Sequence, residues 1–215
     1  MELSLTAEEV RVLGCLLEKK MATPEYYPLS LNALINACNQ KVNRSPVVTY
    51  DEPTVLQAIQ RLRTKSLLWI NTSGRVDKYR EGLVELLELS EDQAAVMCLL
   101  LLRGPQTLGE IRGRSERLHA FNDLEALQTA LDGLADMNLV QQAPRQPGQK
   151  EQRFCHLLAP IPQAPPTEVT GPMESMVPSV PAQDRISVLE ERVESLTTEL
   201  YQLKQAFERF RQQFE

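Results

Sequence analysis

Five polar side chains in the first half of the sequence have the types and spacing needed to bind duplex DNA. Gln57 and Arg61 are four residues apart, so they would be neighbours on one face of a helix. Glutamine can pair with an adenine edge, and arginine with guanine or a phosphate. Lys65 continues this face, and Arg75 and Lys78 lie in a predicted hairpin. We therefore expect Gln57 and Arg61 to contact bases and Lys65, Arg75 and Lys78 to contact phosphates.

A long connection, residues 40–50, carries a second candidate site. Lys41, Asn43 and Arg44 in this loop could contact phosphate or a partner peptide, because long loops on a rigid scaffold are often functional. The alternative is structural. In that case Asn39 ends the preceding helix and the polar run caps its exposed carbonyl groups, and the sequence leaves both explanations open.

Local charge favours the first part of the chain as a nucleic-acid binder. The whole chain has a net charge of −6, so DNA binding cannot rest on overall charge. Residues 1–83 have 11 basic and 9 acidic side chains, whereas residues 84–160 have 7 and 11. The segment Asp123–Met137 contains four acidic residues and no basic one. Phosphate would repel such a segment, so we do not expect it to enter a DNA groove.

The residues that catalysis and metal binding usually need are scarce. The chain has two histidines, and its four cysteines are far apart without a C-x-x-C pair. It also lacks the phosphate-loop, dinucleotide-binding and zinc-protease motifs. The longest apolar run, Ala94–Leu102, is too short to span a membrane. Residues 1–4 show no basic region followed by an apolar stretch, so we do not expect a secretory signal. We predict a non-enzymatic cytoplasmic protein with no cofactor, no metal and no membrane association.

Several other side chains have a structural explanation. Cys15 and Cys98 lie in apolar surroundings and should be core residues, and His156 should be structural. Trp69 should pack from the hairpin onto the core, with a stacking contact as the alternative. A basic cluster in the second half could bind a phosphate or an acidic surface. The members of this cluster are Arg112, Arg114 and Arg117. The favoured alternative is that they pair with Glu110, Glu116 and the acidic segment.

The elements that position these residues occur twice in the same order, as three helices followed by a hairpin. Capping boxes at Thr6/Glu9, Ser90/Gln93 and Thr107/Glu110 predict three of the helix starts. The first half has predicted helices from Thr6 to Lys20, from Ser30 to Asn39 and from Asp51 to Ser66, an extended stretch at Thr23–Pro28, and a hairpin from Leu67 to Tyr79. The second half has predicted helices from Ser90 to Leu102, from Thr107 to Leu118 and from Asn122 to Met137, and a hairpin from Leu139 to Leu158 with its turn at Pro147–Gly148.

This order is that of the winged helix-turn-helix. The predicted fold class is mainly α with small β-hairpin wings, arranged as tandem winged helix-turn-helix domains plus a C-terminal coiled-coil helix. The two domains cover residues 1–83 and 84–159, and a Pro-rich linker covers residues 160–183. The core faces of the two third helices are predicted to be Val55, Leu56, Ile59 and Leu62 in the first half, and Leu124, Leu127, Leu131 and Leu134 in the second.

The tail, residues 184–215, has apolar side chains at alternating spacings of three and four. This is a heptad pattern, which predicts a coiled coil and self-association as a homodimer or a larger even-numbered assembly. The alternative is that the helix folds back onto its own chain. The predicted oligomerisation residues are Ile186, Leu189, Val193, Leu196, Leu200, Leu203, Phe207, Phe210 and Phe214.

Three blocks resemble the signature of the bacterial YceH family: YPLSLNALINACNQK (Tyr27 to Lys41), LLLRGPQTLGEIRGR (Leu100 to Arg114) and QPGQKEQRFCHLL (Gln146 to Leu158). The resemblance covers roughly residues 5–159. It implies a tandem winged-helix protein, in some members with a coiled-coil-like tail, and it assigns no catalytic residue.

We therefore expect a DNA-binding protein, with a transcription-regulatory outcome, that contacts duplex DNA through its first domain. The second domain would hold the arrangement or bind a protein partner. The alternative is a protein–protein interaction adaptor without a nucleic-acid role, because winged helices also serve as docking modules.

Overall fold

Helices dominate the computed structural model, which describes residues 4–72, 74–143 and 151–160, and its strands are short and antiparallel. The prediction of a mainly helical chain with small hairpins is confirmed. The Pro-rich linker beyond residue 160, the heptad tail and the turn at Pro147–Gly148 lie outside the described residues.

The first half begins with the longest described helix and continues through two shorter ones to a strand pair. Its elements are α1 (Ala7–Ala22), β1 (Leu29–Ser30), α2 (Leu31–Cys38), α3 (Glu52–Thr64), β2 (Leu68–Asn71) and β3 (Lys78–Glu81). The stretch after α1 is not simply extended, because Pro24–Tyr26 forms one turn of 3-10 helix.

The second half repeats the order of three helices and a strand pair after a short connecting helix that the sequence analysis missed. Its elements are α4 (Leu83–Leu87), which is that connector, α5 (Glu91–Arg103), α6 (Leu108–Ser115), α7 (Leu124–Asp136), β4 (Val140–Gln142) and β5 (Phe154–His156).

Local capping chemistry sets the helix starts, and the capping-box predictions are confirmed. Thr6 N–H donates to the Glu9 carboxylate at 2.6 Å, and Glu9 N–H donates to Thr6 Oγ1 at 3.3 Å. The same reciprocal pair joins Thr107 and Glu110 before α6. The prediction for α7 was wrong by one residue: its cap is Asp123, which accepts from Ala126 N–H, and not Asn122.

The strands form two small antiparallel sheets. The first has the order β1-β3-β2, with Leu29 opposite Tyr79 and Ile70 opposite Tyr79 on its other side. The second pairs β4 with β5, and a single bridge from Gln106 to Phe154 extends it. In each half, therefore, the segment just before the second helix pairs with the second strand of the strand pair: β1 with β3, and Gln106 with β5.

The two halves share one hydrophobic core within the unit Met1–Gln163. Helix α1 packs against α5, so it is buried on most sides, and Leu13, Cys15, Leu16 and Cys98 are all fully buried. Backbone bonds from Leu5 N–H to Leu158 O and from Ser45 N–H to Leu102 O also join the halves. The predicted core positions of Cys15 and Cys98 are confirmed.

The predicted core faces of α3 and α7 are confirmed except at one end. Val55, Ile59 and Leu62 are buried and Leu56 is partly buried. In α7, Leu127, Leu131 and Leu134 are buried, whereas the prediction for Leu124 was wrong. Leu124 is 44% exposed because it is the first residue of the helix, before the turn that contacts the core.

The prediction that Trp69 packs on the core was also wrong. Successive side chains of a strand point to opposite faces, and Leu68 occupies the core face of β2. Trp69 is 43% exposed on the other face. Arg80, its partner across the strand pair, places its guanidinium carbon 5.7 Å from the ring centroid, a cation–π contact.

The close contact of α1 with α5 depends on Gly14. A Cβ at this position would lie 2.9 Å from Leu102 Cδ2 and 3.1 Å from Leu101 Cβ. We expect Gly14→Val to lower the free energy of unfolding by roughly 1–3 kcal/mol, because the added side chain would overpack the helix contact. Chemical denaturation of the full chain measures this.

Gly113→Val is the matched control, because nothing lies within 4 Å of a Cβ added at this helical position. It should change stability by no more than about 0.5 kcal/mol. Equal losses at the two glycines would show that the close contact of α1 with α5 does not determine the effect.

Candidate functional site

The outer face of α3 presents the residues predicted to read DNA bases. Gln57, Arg61 and Thr64 are exposed, opposite the buried face of the same helix. Within the described residues Arg61 has no ion pair at salt-bridge distance. The pKa of Glu8 lies below its ordinary value, first because of a hydrogen bond from the Thr6 side chain and in smaller part because of the charge of Arg61.

Lys65 has a structural partner. Its Nζ lies 2.9 Å from Oε1 of the fully buried Glu9 and donates to Ser4 O at 2.8 Å. The pair ties the end of α3 to the start of α1. A phosphate would have to compete with a buried carboxylate for Lys65, so the structure separates this lysine from the other four DNA-contact candidates.

The wing predicted to contact phosphates is the strand pair β2–β3 with its connection. Arg75 and Lys78 are both exposed there, and neither forms an ion pair with a described residue. Arg80 differs, because its guanidinium lies over Trp69 and 2.7 Å from the Glu85 carboxylate. The free cations of the wing are therefore the two that the sequence analysis named.

The loop at residues 40–50 is organised around Arg44, which is only 7% exposed. Its guanidinium donates to both carboxylate oxygens of Glu18, at 3.0 and 2.7 Å, and to the Ala37 carbonyl at the end of α2. Burial raises the pKa of Glu18, but the hydrogen bonds and charge of Arg44, together with those of Lys19, outweigh burial and hold that pKa below its ordinary value. Arg44 is therefore not available to a phosphate or a peptide, which corrects its prediction as a contact residue.

The neighbours of Arg44 show the same structural use of the loop. The Asn39 side chain donates to Tyr50 O at 2.8 Å and accepts from Tyr50 N–H at 2.7 Å, which closes the loop. Asn43 has a left-handed backbone, with φ of 62°, and its side chain accepts a bond from Arg103 in α5. Lys41 is exposed, so it is the loop candidate that remains accessible.

The basic cluster of the second half is paired in part. Arg114 lies 3.7 Å from Glu110 and donates to Gln106 at 2.7 Å. Arg112 and Arg117 are exposed and form no ion pair with Glu116 or α7 among the described residues, so the prediction holds for Arg114 alone. On α7 the acidic Asp132 and Asp136 are exposed.

A cavity of about 500 Å³ is a second candidate site, and the sequence analysis missed it. Its walls include Arg11 of α1 and His156 of β5, and Arg11 Nε and His156 Nδ1 are buried without a hydrogen-bond partner in the described part of the chain. One feature of the sequence could have indicated this site: Arg11 lies between two valines inside an apolar helix. The partners that bury Arg11 come from distant positions, which the sequence does not show.

No group of three or more His, Cys, Asp or Glu side chains that could hold a metal ion occurs in residues 4–72, 74–143 and 151–160. None of the helices in these ranges combines the length and apolar character needed to cross a membrane.

Comparison with known proteins gives the family. A profile described as "Protein of unknown function, DUF480" matches residues 5–149, which is more than half of the chain. The chain belongs to the DUF480 family. A UPF0502 protein of Solibacter usitatus is 48% identical over 217 residues, and one of Geobacter sulfurreducens is 50% identical over 219; both matches cover 100% of each chain. The resemblance to the YceH family stays a prediction.

Proposed function

We propose that this DUF480 protein is a non-enzymatic DNA-binding protein with a transcription-regulatory outcome, built from tandem winged helix-turn-helix domains. In this assignment α3 and α7 are the third helices, and the pairs β2–β3 and β4–β5 are the wings. The repeated order of three helices and a strand pair supports it, as does the β1-β3-β2 sheet. The third helix of such domains commonly enters the major groove.

One observation carries the proposal for the first half. Gln57 and Arg61 on α3 and Arg75 and Lys78 on the wing are all exposed, and the three cations among them have no ion pair among the described residues. Side chains with these donors suit base edges and phosphate oxygens. Lys65 is left out of the contact set because Glu9 holds it.

The second half differs in charge and is assigned a different role. Exposed carboxylates of Glu125, Asp132 and Asp136 follow the outer side of α7, and Gln128 donates to Asp132 at 2.7 Å. Phosphate would repel this surface, so α7 stays out of the groove and supports the arrangement or binds a protein. A homodimer formed through the heptad tail would present two first halves to one duplex.

The DNA-contact assignment predicts a clear effect of one arginine. In duplexes selected from a random pool by the full chain, Arg61→Ala should weaken binding by roughly 1–3 kcal/mol and relax preference at one base pair, because arginine pairs with guanine in two-point fashion. Fluorescence anisotropy on duplexes changed at single positions measures both effects.

Arg112→Ala is the matched control, since it removes an exposed arginine from the second half. The Arg112→Ala variant should bind the same duplexes with the affinity of the unchanged chain. A crosslink from Gln128 or Asp132 to DNA, or equal losses at Arg61 and Arg112, would contradict the assignment.

Exposed apolar side chains favour a second candidate function, a protein-interaction adaptor. Trp69 and Val76, in and beside the first strand pair, are 43% and 58% exposed, and Tyr26 is 72% exposed. Aromatic and apolar surface of this kind suits a protein partner. The two functions differ in salt dependence, because only phosphate contacts release condensed counterions.

A further inference from the structure

The cavity described above has the size and lining of a small-molecule site. Its volume of about 500 Å³ falls in the range typical of ligand pockets, roughly 300–1,000 Å³. The start of α1, the loop before Tyr50, the end of α5 and strand β5 each contribute to its wall. Most of the wall is apolar, with Leu5, Val10 and Leu101 among its residues.

Arg11 brings to this wall a positive charge that no carboxylate of the described residues neutralises. The side chain is only 4% exposed, and its Nη1 and Nη2 donate to the carbonyls of Cys38 and Pro46. No described carboxylate lies within salt-bridge distance, and Nε has no acceptor. An arginine stays charged inside a protein, and a buried charge without a counterion is unfavourable. An anion in the cavity would supply the missing partner.

His156 adds a polar atom from the other half of the molecule. Its Nδ1 is buried without a hydrogen-bond partner among the described residues, and burial lowers the pKa of the ring to about 4. The imidazole is therefore neutral near pH 7, and it can donate one hydrogen bond without adding a second positive charge. One cation and one neutral donor match a single negative charge shared by two oxygens.

We propose that this cavity binds a small organic monocarboxylate with an apolar body. The carboxylate would accept hydrogen bonds from Arg11 Nε and from His156 in the tautomer that carries its proton on Nδ1. The apolar body would pack against the wall around Val10 and Leu101. The proposal is independent of DNA binding, because it uses none of the candidate DNA-contact residues.

The test is calorimetric titration of the full chain at pH 7 with hexanoate, octanoate and 1-naphthoate, and with the matching neutral amides. At least one carboxylate should bind at one saturable site per chain, and more tightly than its amide. Arg11→Met should weaken binding of that carboxylate tenfold or more, because it removes a charge-assisted hydrogen bond, which is stronger than a neutral one. It should change amide binding much less.

Two further variants keep the test decisive. Ala7→Phe, at an exposed position on the cavity wall, should block binding of carboxylate and amide alike while leaving Arg11 in place. Arg63→Met, an exposed arginine outside the cavity, should bind like the unchanged chain. If Arg11→Met does not fold, Ala7→Phe decides. Absence of saturable binding of all three carboxylates, or unchanged affinity in folded Arg11→Met or in Ala7→Phe, would overturn the proposal.

Discussion

Replacing Arg44 with alanine should lower the free energy of unfolding by about 3–5 kcal/mol, the usual loss when one partner of a buried ion pair is removed. The side chain of Arg44 is fully buried, and that of Glu18 is 12% exposed. Without Arg44, the Glu18 carboxylate keeps only its ion pair with Lys19 at 3.3 Å, and the Ala37 carbonyl loses the hydrogen bonds that Arg44 donates, in a place that water reaches poorly. Urea unfolding of the full chain, followed by circular dichroism, measures the loss.

Lys41→Ala is the matched control from the same loop, because Lys41 is exposed. It should change stability by no more than about 0.5 kcal/mol. The double change Arg44→Met with Glu18→Met should recover much of the loss, since apolar residues can replace a buried pair. A loss below about 1 kcal/mol for Arg44→Ala would mean that the loop does not depend on this arginine.

Acid should destabilise the protein through His156. The pKa of His156 is about 4 in the folded chain because burial disfavours the charged ring, whereas an unfolded histidine has its ordinary value near 6.5. Above pH 6.5 the ring is neutral in both states. Between about pH 6.5 and 4 the unfolded state binds the proton first, so stability falls as the pH falls. This contribution should reach roughly 2–3 kcal/mol by pH 4.

His156→Gln removes the titrating group. The free energy of unfolding of this variant should therefore change less between pH 6.5 and 4 than that of the unchanged chain, whatever the variant's stability at pH 7. Other groups, such as Glu18 with its lowered pKa, lose their contribution at lower pH, so comparison of the two chains isolates the histidine. Parallel curves for His156→Gln and the unchanged chain would refute the assignment.

The parts of the fold that depend on local chemistry could be predicted from the sequence. The cap at Thr6 was identified because its partner, Glu9, is three residues away. The buried faces of α3 and α7 followed from helical periodicity. The short helix α4 was missed, since its start depends on the Glu81 carboxylate, which accepts from Val84 N–H and binds Lys20 from the distant α1.

The candidate sites were less predictable, because charged side chains take their roles from partners far away in the sequence. The sequence predicts a phosphate contact for Lys65 and leaves Arg44 open between a contact and a structural role, but Glu9 and Glu18 bind these two side chains. The sequence does not predict that Arg11 is buried, because its burial needs both α5 and the loop at residues 40–50. The predicted exposure of the other DNA-contact candidates is confirmed, because their neighbours in the sequence already place them outward. These residues are Gln57, Arg61, Arg75 and Lys78.

The contact between the two halves also decides how DNA binding must be tested. Helix α1 belongs to the first half, but much of its surface is buried against α5. A fragment ending at residue 83 would expose that apolar surface to water. Binding experiments therefore require the full chain.

The most direct test of DNA binding by the first half is the salt dependence of full-chain affinity for a duplex selected from a random pool. If Arg75 and Lys78 each neutralise one phosphate, log affinity should fall with log salt concentration with a slope of about −1.8 or steeper. Lys78→Ala should make that slope shallower by about 0.9. Failure of the full chain to bind any selected duplex in a salt-dependent way would contradict DNA binding and favour the adaptor function.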